Sequence, residues 1–245
     1  MLPILQIGPL AIQLPGLLLL AGVWVATLLI ERAAPRYKIS AASVNSMIFY
    51  ALIAGLIGAR LGYVLQFVDA YAADPISILA LNPNTLSFPE GLLVGILTAI
   101  VYGQRKGLPL WPTLDAMAPG LALFMLSLGL AHISSGDAFG APTDVPWAIN
   151  LWGAERHPSQ VYEILGSGLV LLFVMRAERQ RWIPGIHALS FVALTAALRL
   201  FLEAFRGDSV LIFAGLRLAQ LLSLTILLAA LVLIHFRARE SAEQT

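Results

Sequence analysis

Arg199-Leu-Phe-Leu-Glu203-Ala-Phe-Arg206 closes an apolar run that begins near Ile186, and this stretch decides how the chain must fold. An ionisable group at bilayer depth is costly, and such groups are rare there unless they are paired and face an interior. On a helix, Arg199 and Glu203 are four residues apart and Arg206 is seven from Arg199, so all three project from one face. The stretch is either a structural ion pair near a helix end or an anion site inside a membrane protein.

The composition indicates a polytopic membrane protein. Of the 245 residues, 59% are hydrophobic and 12% are charged, whereas about a quarter of the residues of an average soluble domain are charged. The net charge of +1 argues against nucleic acid as a partner. The chain has no cysteine, so any thiol chemistry must happen on a substrate.

Seven apolar segments are long enough to span a membrane, and they predict an all-α membrane protein with a single domain over residues 1–245. The predicted spans are 10–30, 44–67, 86–102, 114–132, 160–175, 186–205 and 212–236. The residues that follow every second span are basic: Arg32, Arg36, Lys38, Arg105, Lys106, Arg176, Arg179, Arg181, Arg237 and Arg239. By the positive-inside rule, the N-terminus is expected outside and the C-terminus in the cytoplasm.

The connections on the outer side carry polar residues without basic anchors. Residues 68–85 and 134–159 contain Asp-Pro, Asn-Pro and Pro-Thr-Asp turn signals. We expect irregular or short amphipathic segments there, at the level of the outer headgroups, and loops of this kind often carry function. No basic residue precedes the first span, so it is expected to remain as a spanning helix and not to be cleaved as a signal peptide.

Arg60 stands in the middle of the second predicted span. It is flanked by Gly55, Gly58 and Gly62, and small residues at helical spacing let a neighbouring helix approach closely. The glycines do not explain the arginine, whose guanidinium either pairs with a buried carboxylate or faces a polar cavity. Arg60 is expected nearer the outer end of its span, the side on which Arg199 is also expected.

A polar block, Arg156-His-Pro-Ser-Gln-Val-Tyr-Glu163, runs straight into the fifth predicted span. Pro158 ends any preceding helix and Ser159 can cap the next one, but capping does not call for histidine, glutamine, tyrosine and glutamate as well. A free imidazole is an acid, a base or a hydrogen-bond donor, although a lone histidine is more often structural.

Arginine is in excess among the charged residues expected on the outer side. They are Arg60, Arg156, Arg199, Arg206 and Arg217 against Asp137, Asp144, Glu163 and Glu203. Arginine binds phosphate bidentately, so a phospholipid is the leading inference for the ligand. The four histidines are scattered along the sequence, so no metal site is expected.

Six segments of the chain resemble the prolipoprotein diacylglyceryl transferases. They are 57–65 (IGARLGYVL), 115–119, 140–147 (GxPTDxPW), 156–163 (RHPSQVYE), 199–206 (RLFLEAFR) and 217–224 (RLAQLLSL). Members of this family are seven-helix inner-membrane proteins of bacteria. They move the diacylglyceryl group of phosphatidylglycerol onto the cysteine thiol of a lipoprotein precursor and release glycerol phosphate. The resemblance covers nearly the whole chain, and RHPSQxYE followed by RxxxExxR is its specific part.

The resemblance implies roles for named residues and requires no cofactor. The catalytic candidates are Arg199, Glu203 and His157, with Glu90 and His132 as candidate replacements for a base that this chain lacks. The substrate-binding candidates are Arg60, Tyr63, Asp137, Gln160, Tyr162, Glu163 and Arg206. In such a reaction a thiolate attacks the glycerol C3 carbon and arginines stabilise charge on the departing phosphate. The expected partners are phosphatidylglycerol and either a lipoprotein precursor or another membrane protein, in the bacterial cytoplasmic membrane.

The chain also departs from the family pattern. Pro89 stands where the family has a histidine, and an ungapped alignment puts Gly129 at a phosphate-binding arginine. The other replaced positions are His132 and Ser135 at two asparagines, Asp137 at a glutamate, and Pro15 or Gly16 at an N-terminal tyrosine.

Three functions remain open after these departures. The first is a divergent transferase in which Glu90 or His132 replaces the lost base. The second is a catalytically inactive paralogue that binds lipid or serves as a structural subunit of a membrane complex. The third is a transferase that acts on another acceptor.

Overall fold

A computed structural model describes residues 4–7, 10–80, 85–180, 182–212 and 215–242, and these residues are mostly helical. The α-helices are α1 (Leu14–Ala33), α2 (Ala41–Gln66), α3 (Val68–Ala73), α4 (Phe88–Arg105), α5 (Leu110–Ser135), α6 (Ser159–Ala177), α7 (Ile186–Leu202) and α8 (Leu218–Ala242). Short 3-10 helices cover Ala34–Tyr37, Pro75–Leu79 and Glu203–Phe205. Two antiparallel hairpins pair β1 (Ile4–Ile7) with β2 (Leu10–Gln13) and β3 (Ile149–Leu151) with β4 (Ala154–Arg156).

Six helical segments of the described residues are long and apolar enough to cross a membrane. They are Leu14–Tyr37, Ala41–Gln66, Leu110–Ser135, Ser159–Ala177, Ile186–Phe205 and Leu218–Glu240. They overlap six of the seven spans expected from the sequence. The other expected span is helix α4, whose 18 residues include Glu90, Gln104 and Arg105 and are therefore less apolar. The count of seven and the orientation stay predictions.

The chain divides into two compact units, one formed by Ala34–Thr113 and the other by Met1–Ala33 with Leu114–Thr245. In the first unit, α2 and α4 pack closely through glycines, as the sequence predicted. A Cβ atom added to Gly55 would lie 3.1 Å from the carbonyl oxygen of Gly91. The absence of side chains at such positions lets the two backbones approach.

The second unit is built on a core shared by α5, α6 and α7. The residues of this core are Ala118, Ala122, Val170, Val174 and Phe191. Helix α1 packs against α5 where Gly22 faces Ser127, and α8 packs along α7. Large apolar side chains such as Leu169 and Leu222 remain exposed on the outer helix faces, which suits contact with lipid.

Asp115 ties the N-terminus of α7 to α5. Its carboxylate is 1% exposed and accepts hydrogen bonds from the backbone N–H of Gly185 at 2.6 Å and of Ala188 at 2.8 Å. The first N–H groups of a helix have no partner within the helix, so a buried carboxylate supplies the missing acceptors. Asp115 therefore fixes where α7 begins.

The two hairpins were not expected from the sequence. Residues 10–13 were assigned to the first span, but they form β2, because four apolar residues fit a strand as well as a helix. The β3–β4 turn is Trp152-Gly153, with φ of 55° and 75°. This turn type normally carries Asn-Gly or Asp-Gly, so the tryptophan gave no signal.

Ser159 differs in detail from its expected role as a helix cap. It is the first residue of α6, and its hydroxyl donates to the carbonyl oxygen of Ala138 at 2.5 Å. Arg181, used in the orientation argument, and residues 81–84 of the first outer segment lie outside the described residues.

Replacing Asp115 with alanine is expected to lower the free energy of unfolding by about 1–3 kcal/mol, because two buried N–H groups lose their acceptor. The loss should be smaller for Asp115→Asn, which keeps one acceptor oxygen. Unfolding of the purified protein in mixed detergent micelles measures both values. Asp144→Ala, at an exposed position, is the matched control, and equal stability of Asp115→Ala and this control would contradict the assignment.

Candidate functional site: an arginine–carboxylate cluster and its pocket

Glu203 is the centre of a charged cluster at the end of α7. It is 1% exposed and begins the 3-10 helix that continues α7. Nη2 of Arg199 lies 2.9 Å from its Oε2, and Nε of Arg206 lies 3.9 Å from the same oxygen. A buried carboxylate is stable only when it is paired. The ion pair of Arg199 with Glu203 agrees with their four-residue spacing. Arg206 does not continue the same helix face as expected, because the 3-10 helix ends at Phe205 and Arg206 has an extended backbone.

The two arginines are not equivalent. Arg206 is held bidentately by Asp208, with N–O distances of 2.9 and 2.7 Å, and its side chain is 13% exposed. Arg199 has only Glu203 as a carboxylate partner among the described residues, and its side chain is 40% exposed. Arg199 therefore keeps more N–H groups for a further anion.

Arg217 precedes α8 and closes the cluster. Its Nη1 donates to the carbonyl oxygens of Glu203 and Arg206, the latter at 2.9 Å, and to the Ser209 hydroxyl at 3.1 Å. The last carbonyls of a helix lack intrahelical partners, and a cation there is favourable. The sequence predicted Arg217 on the outer side but indicated no role for it, because its partners are backbone groups that no sequence motif marks.

The backbone of residues 139–143 joins this cluster to the RHPSQVYE block. Ala141 N–H donates to the carbonyl oxygen of Phe205 at 2.8 Å, and the carbonyl of Ala141 accepts from His157 N–H at 3.0 Å. The segment thus lies like a short strand between the two motifs. This position explains why the two motifs, far apart in the sequence, form one site.

Gly140 and Gly207 allow this close approach. A Cβ atom on Gly140 would collide with the carbonyl oxygen of His157, and one on Gly207 would lie 2.6 Å from the carbonyl oxygen of Gly140. Any larger residue would push the backbones apart and break the hydrogen bonds between them. Steric exclusion of any side chain therefore explains why glycine is the first residue of the GxPTDxPW motif.

A small pocket of about 30 Å³ lies among α5, α6 and α7, beside the cluster. It is lined by Met125, Ser159, Glu163, Ser167, Thr195, Leu198, Arg199, Leu202 and Arg206. Of the residues proposed from the sequence, the pocket brings together Glu163, Arg199 and Arg206.

Three hydroxyl side chains of the pocket were missed from the sequence. They belong to polar stripes that recur every four residues: Ser159, Glu163 and Ser167 on α6, and Thr195, Arg199 and Glu203 on α7. Such a stripe on an apolar helix is a readable signal, because residues four apart share a face. The buried Thr195 hydroxyl has no hydrogen-bond partner among the described residues, so a bound ligand would satisfy it.

His132 contacts Glu163, which lines this pocket, and His132 itself is not among the described lining residues. His132 Nδ1 lies 2.8 Å from Glu163 Oε2. Helices α5 and α6 approach closely at Gly129, where a Cβ atom would lie 3.0 Å from Ile164. Helix α6 therefore occupies the space beside the position at which the resembled family has an arginine, and the histidine–glutamate pair stands nearby.

His157 and Tyr162 are held in an aromatic cluster with Phe205. The ring centroids lie 5.2 Å apart for His157–Phe205 and 5.7 Å for Tyr162–Phe205. Trp147 Nε1 donates to the Tyr162 hydroxyl at 2.7 Å. His157 and Tyr162 are not among the described residues that line the pocket, but they fix the residue that precedes Arg206.

The side chain of Gln160 contacts the backbone of Asp137. Gln160 is fully buried, and its Nε2 donates to the carbonyl oxygen of Asp137 at 2.9 Å. The Asp137 residue is exposed, and it is not among the described residues that line the pocket. Gln160 therefore anchors the loop after α5.

In the unit Ala34–Thr113, Arg60 organises the first outer segment. It is 8% exposed and donates to the carbonyl oxygens of Ser77, Ile78 and Thr85, with distances of 2.9 Å for Ile78 and 3.0 Å for Thr85. Its guanidinium also stacks 5.1 Å from the Tyr71 ring centroid. Among the residues that the structure describes, backbone carbonyls and not a carboxylate stabilise this buried cation.

Arg60 and Tyr63 also line a pocket of about 360 Å³ within this unit. The other lining residues are Phe67, Ala70, Tyr71, Ser77, Ala80 and Thr85. Glu90 is not among the described residues that line it. The Glu90 carboxylate accepts hydrogen bonds from the Ser87 hydroxyl and from Gln66 Nε2, the latter at 3.1 Å.

The fold and these sites define a multi-pass helical membrane protein whose arginines line pockets within each unit. The Prolipoprotein diacylglyceryl transferase family matches residues 3–236, so the chain belongs to the prolipoprotein diacylglyceryl transferase family. This confirms the resemblance seen in the sequence motifs.

Relatives named phosphatidylglycerol–prolipoprotein diacylglyceryl transferase match over most of the chain. The protein of Bordetella parapertussis is 33% identical over 248 residues, which cover 96% of this chain and 94% of the relative. The protein of Finegoldia magna is 30% identical over 219 residues, covering 89% and 88%. The protein of Methylococcus capsulatus is 29% identical over 252 residues, covering 96% and 95%.

Arg217→Ala is expected to loosen the end of α7, because three hydrogen bonds from a charged donor are lost. Amide hydrogen exchange of residues 203–209 should become roughly tenfold faster. Exchange measured by mass spectrometry on the purified protein tests this. Arg239→Ala, at an exposed position near the other end of α8, is the control. Unchanged exchange in Arg217→Ala would show that Arg217 does not hold the cluster.

Proposed function

We propose that the protein transfers the diacylglyceryl group of phosphatidylglycerol to the lipobox cysteine of a prolipoprotein. The observation that carries the proposal is Arg199, which stands partly exposed in a pocket beside the paired Glu203 and Arg206. In this cluster the three guanidinium groups of Arg199, Arg206 and Arg217 meet two carboxylates, so one positive charge is left over. A phosphate would balance that charge.

The chain is proposed to form one polytopic domain in the bacterial cytoplasmic membrane. It has seven spanning helices, the six long apolar segments together with α4, with the N-terminus outside and the C-terminus in the cytoplasm. The basic residues after alternate spans support this orientation. The cluster at the end of α7 then lies near the outer leaflet.

The proposed reaction is a displacement at carbon. The cysteine sulfur forms a bond to glycerol C3, and the bond from C3 to the phosphate oxygen breaks. The electron pair leaves with the phosphate, and the thiol proton passes to a base. Arg199 stabilises the charge that develops on the departing phosphate, and Arg206, oriented by Glu203 and Asp208, holds the same group.

His132 is the base that we propose. Its Nδ1 faces the Glu163 carboxylate at 2.8 Å, which leaves Nε2 to accept the proton. Glu163 lines the pocket that contains Arg199, and its contact with His132 supports a role for this histidine next to the pocket. Glu90, in the other unit, is the second candidate, and its carboxylate is already engaged by Ser87 and Gln66.

The remaining candidates are proposed to support substrate binding. Arg60 and Tyr63 contact substrate from the pocket of their own unit. His157, Tyr162 and Gln160 keep the outer loop and the end of α7 in place, and Asp137 is available at the surface for the acceptor peptide.

Arg199→Ala should abolish diacylglyceryl transfer, because the developing phosphate charge loses its stabilising cation. The direct test is a transfer assay with purified protein, phosphatidylglycerol and a lipobox peptide, together with complementation of a strain that lacks its own transferase. Arg199→Lys, which keeps the charge but not the bidentate geometry, is the matched variant and should retain part of the activity.

Two results of this experiment would contradict the proposal. Activity that persists in a correctly inserted Arg199→Ala protein would make the arginine structural. A wild-type protein that is folded but transfers nothing to the peptide would favour the inactive paralogue that binds lipid, or a transferase with another acceptor.

His132→Ala should reduce transfer by about 100-fold or more, as expected for loss of a general base. His132→Asn, which keeps a hydrogen-bonding side chain but cannot take the proton, should lose as much. Glu90→Gln should leave most of the activity. Initial rates of the single variants decide between the two residues, since only removal of the true base should lower the rate this far. Full activity of the Glu90→Gln, His132→Ala double variant would reject both as the base.

A further inference from the structure

We propose that the C-terminal end of α6 carries a second lipid site, which binds the headgroup phosphate of an anionic phospholipid without consuming it. The site is a cavity of about 340 Å³ in the larger unit. Its lining residues are Leu169, Leu172, Phe173, Arg176, Ala177, Gln180 and Trp182. The assignment of this end to the cytoplasmic leaflet rests on the proposed orientation.

This cavity is separate from the pocket that holds Arg199. Arg176 and Glu163 are both on α6 and are 13 residues apart in the sequence. At a rise of 1.5 Å per residue, about 20 Å separates them along the helix axis. A lipid at Arg176 is therefore not positioned for transfer.

The polar groups of the cavity suit a phosphate. Arg176 is the one charged residue among the seven described lining residues, and its guanidinium has no hydrogen-bonded or ionic partner in the part of the chain that the structure describes. Gln180 adds an amide N–H donor, and Trp182 an indole N–H. A guanidinium with free N–H groups next to neutral donors is the arrangement that binds phosphate.

The walls of the cavity are fixed before any ligand binds. The Trp182 ring lies 6.2 Å from the Phe173 ring and 6.1 Å from the His187 ring. His187 Nε2 lies 2.9 Å from the carbonyl oxygen of Val174, and Asp115 holds the start of α7 as described above. A preformed site costs a ligand little ordering entropy.

The rest of the cavity selects a phospholipid over a free phosphate. Leu169, Leu172 and Phe173 are all exposed on α6, so they form an apolar track that leads away from Arg176 along the helix. This arrangement matches an anionic lipid, with its phosphate at the arginine and an acyl chain on the track. A tryptophan beside an arginine at the end of a spanning helix is typical of the headgroup level.

The test uses the full chain in lipid nanodiscs and the fluorescence of Trp182. Brominated phosphatidylserine is the anionic probe, because it is not the proposed substrate, and brominated phosphatidylcholine is the neutral one. The contribution of Trp182 is the difference in fluorescence between the wild type and Trp182→Phe. We expect phosphatidylserine to quench it at a mole fraction about fivefold lower than phosphatidylcholine requires. Arg176→Ala should remove this preference, and Arg179→Ala, a neighbouring exposed arginine outside the lining, should keep it.

Three outcomes would overturn the proposal. Equal quenching by the two lipids would show that the cavity does not select charge. Equal loss of the preference in Arg176→Ala and Arg179→Ala would indicate a diffuse basic surface. Inorganic phosphate that competes with the anionic lipid at millimolar concentration would assign the cavity to free phosphate. Diacylglyceryl transfer by Arg176→Ala should equal that of the wild type, so this result and the proposed transferase activity can fail independently.

Discussion

The burial of one carboxylate governs the larger unit. Glu203 is removed from solvent at the end of an apolar helix, and a lone charge there would be unstable. Arg199 and Arg206 must therefore converge on it, and Arg217 must reach back from the start of the last helix to the carbonyls of the same turn. The requirement to neutralise one acid thus brings cations together at a point where a phosphate can share them.

The backbone between the two motifs turns this cluster into a site. Residues 139–143 bond on one side to Phe205 and on the other to His157, so the loop after α5 and the end of α7 are held in one arrangement. Ser159, Glu163 and Ser167 of α6 line the same pocket as Thr195 and Arg199 of α7. The site is therefore made by helix geometry and by a single strand-like connection.

Much of this could be read from the sequence, for reasons that are physical. Long apolar runs predicted the helices, and the spacing of Arg199 and Glu203 predicted their ion pair, because both signals are local. The turn at Trp152-Gly153, the bonds of Arg217 and the pairing of His132 with Glu163 were not predicted, because they depend on backbone conformation or on contacts between segments distant in sequence. The polar stripes with four-residue spacing are present in the sequence, but serine and threonine are common in helices, so the pattern alone did not indicate a site.

The close contacts at Gly140 and Gly207 bear on how this loop can diversify during evolution. With backbone packed on backbone, insertions or deletions within 139–143 would shift the register on both sides at once. The turn of the β3–β4 hairpin is less restricted, since Trp152 and Gly153 are exposed and a Cβ atom on Gly153 would meet no other atom within 4 Å. Differences in loop length among homologues should therefore accumulate at this turn, beyond the GxPTDxPW segment, where the surface can be remodelled while the charged centre stays in place.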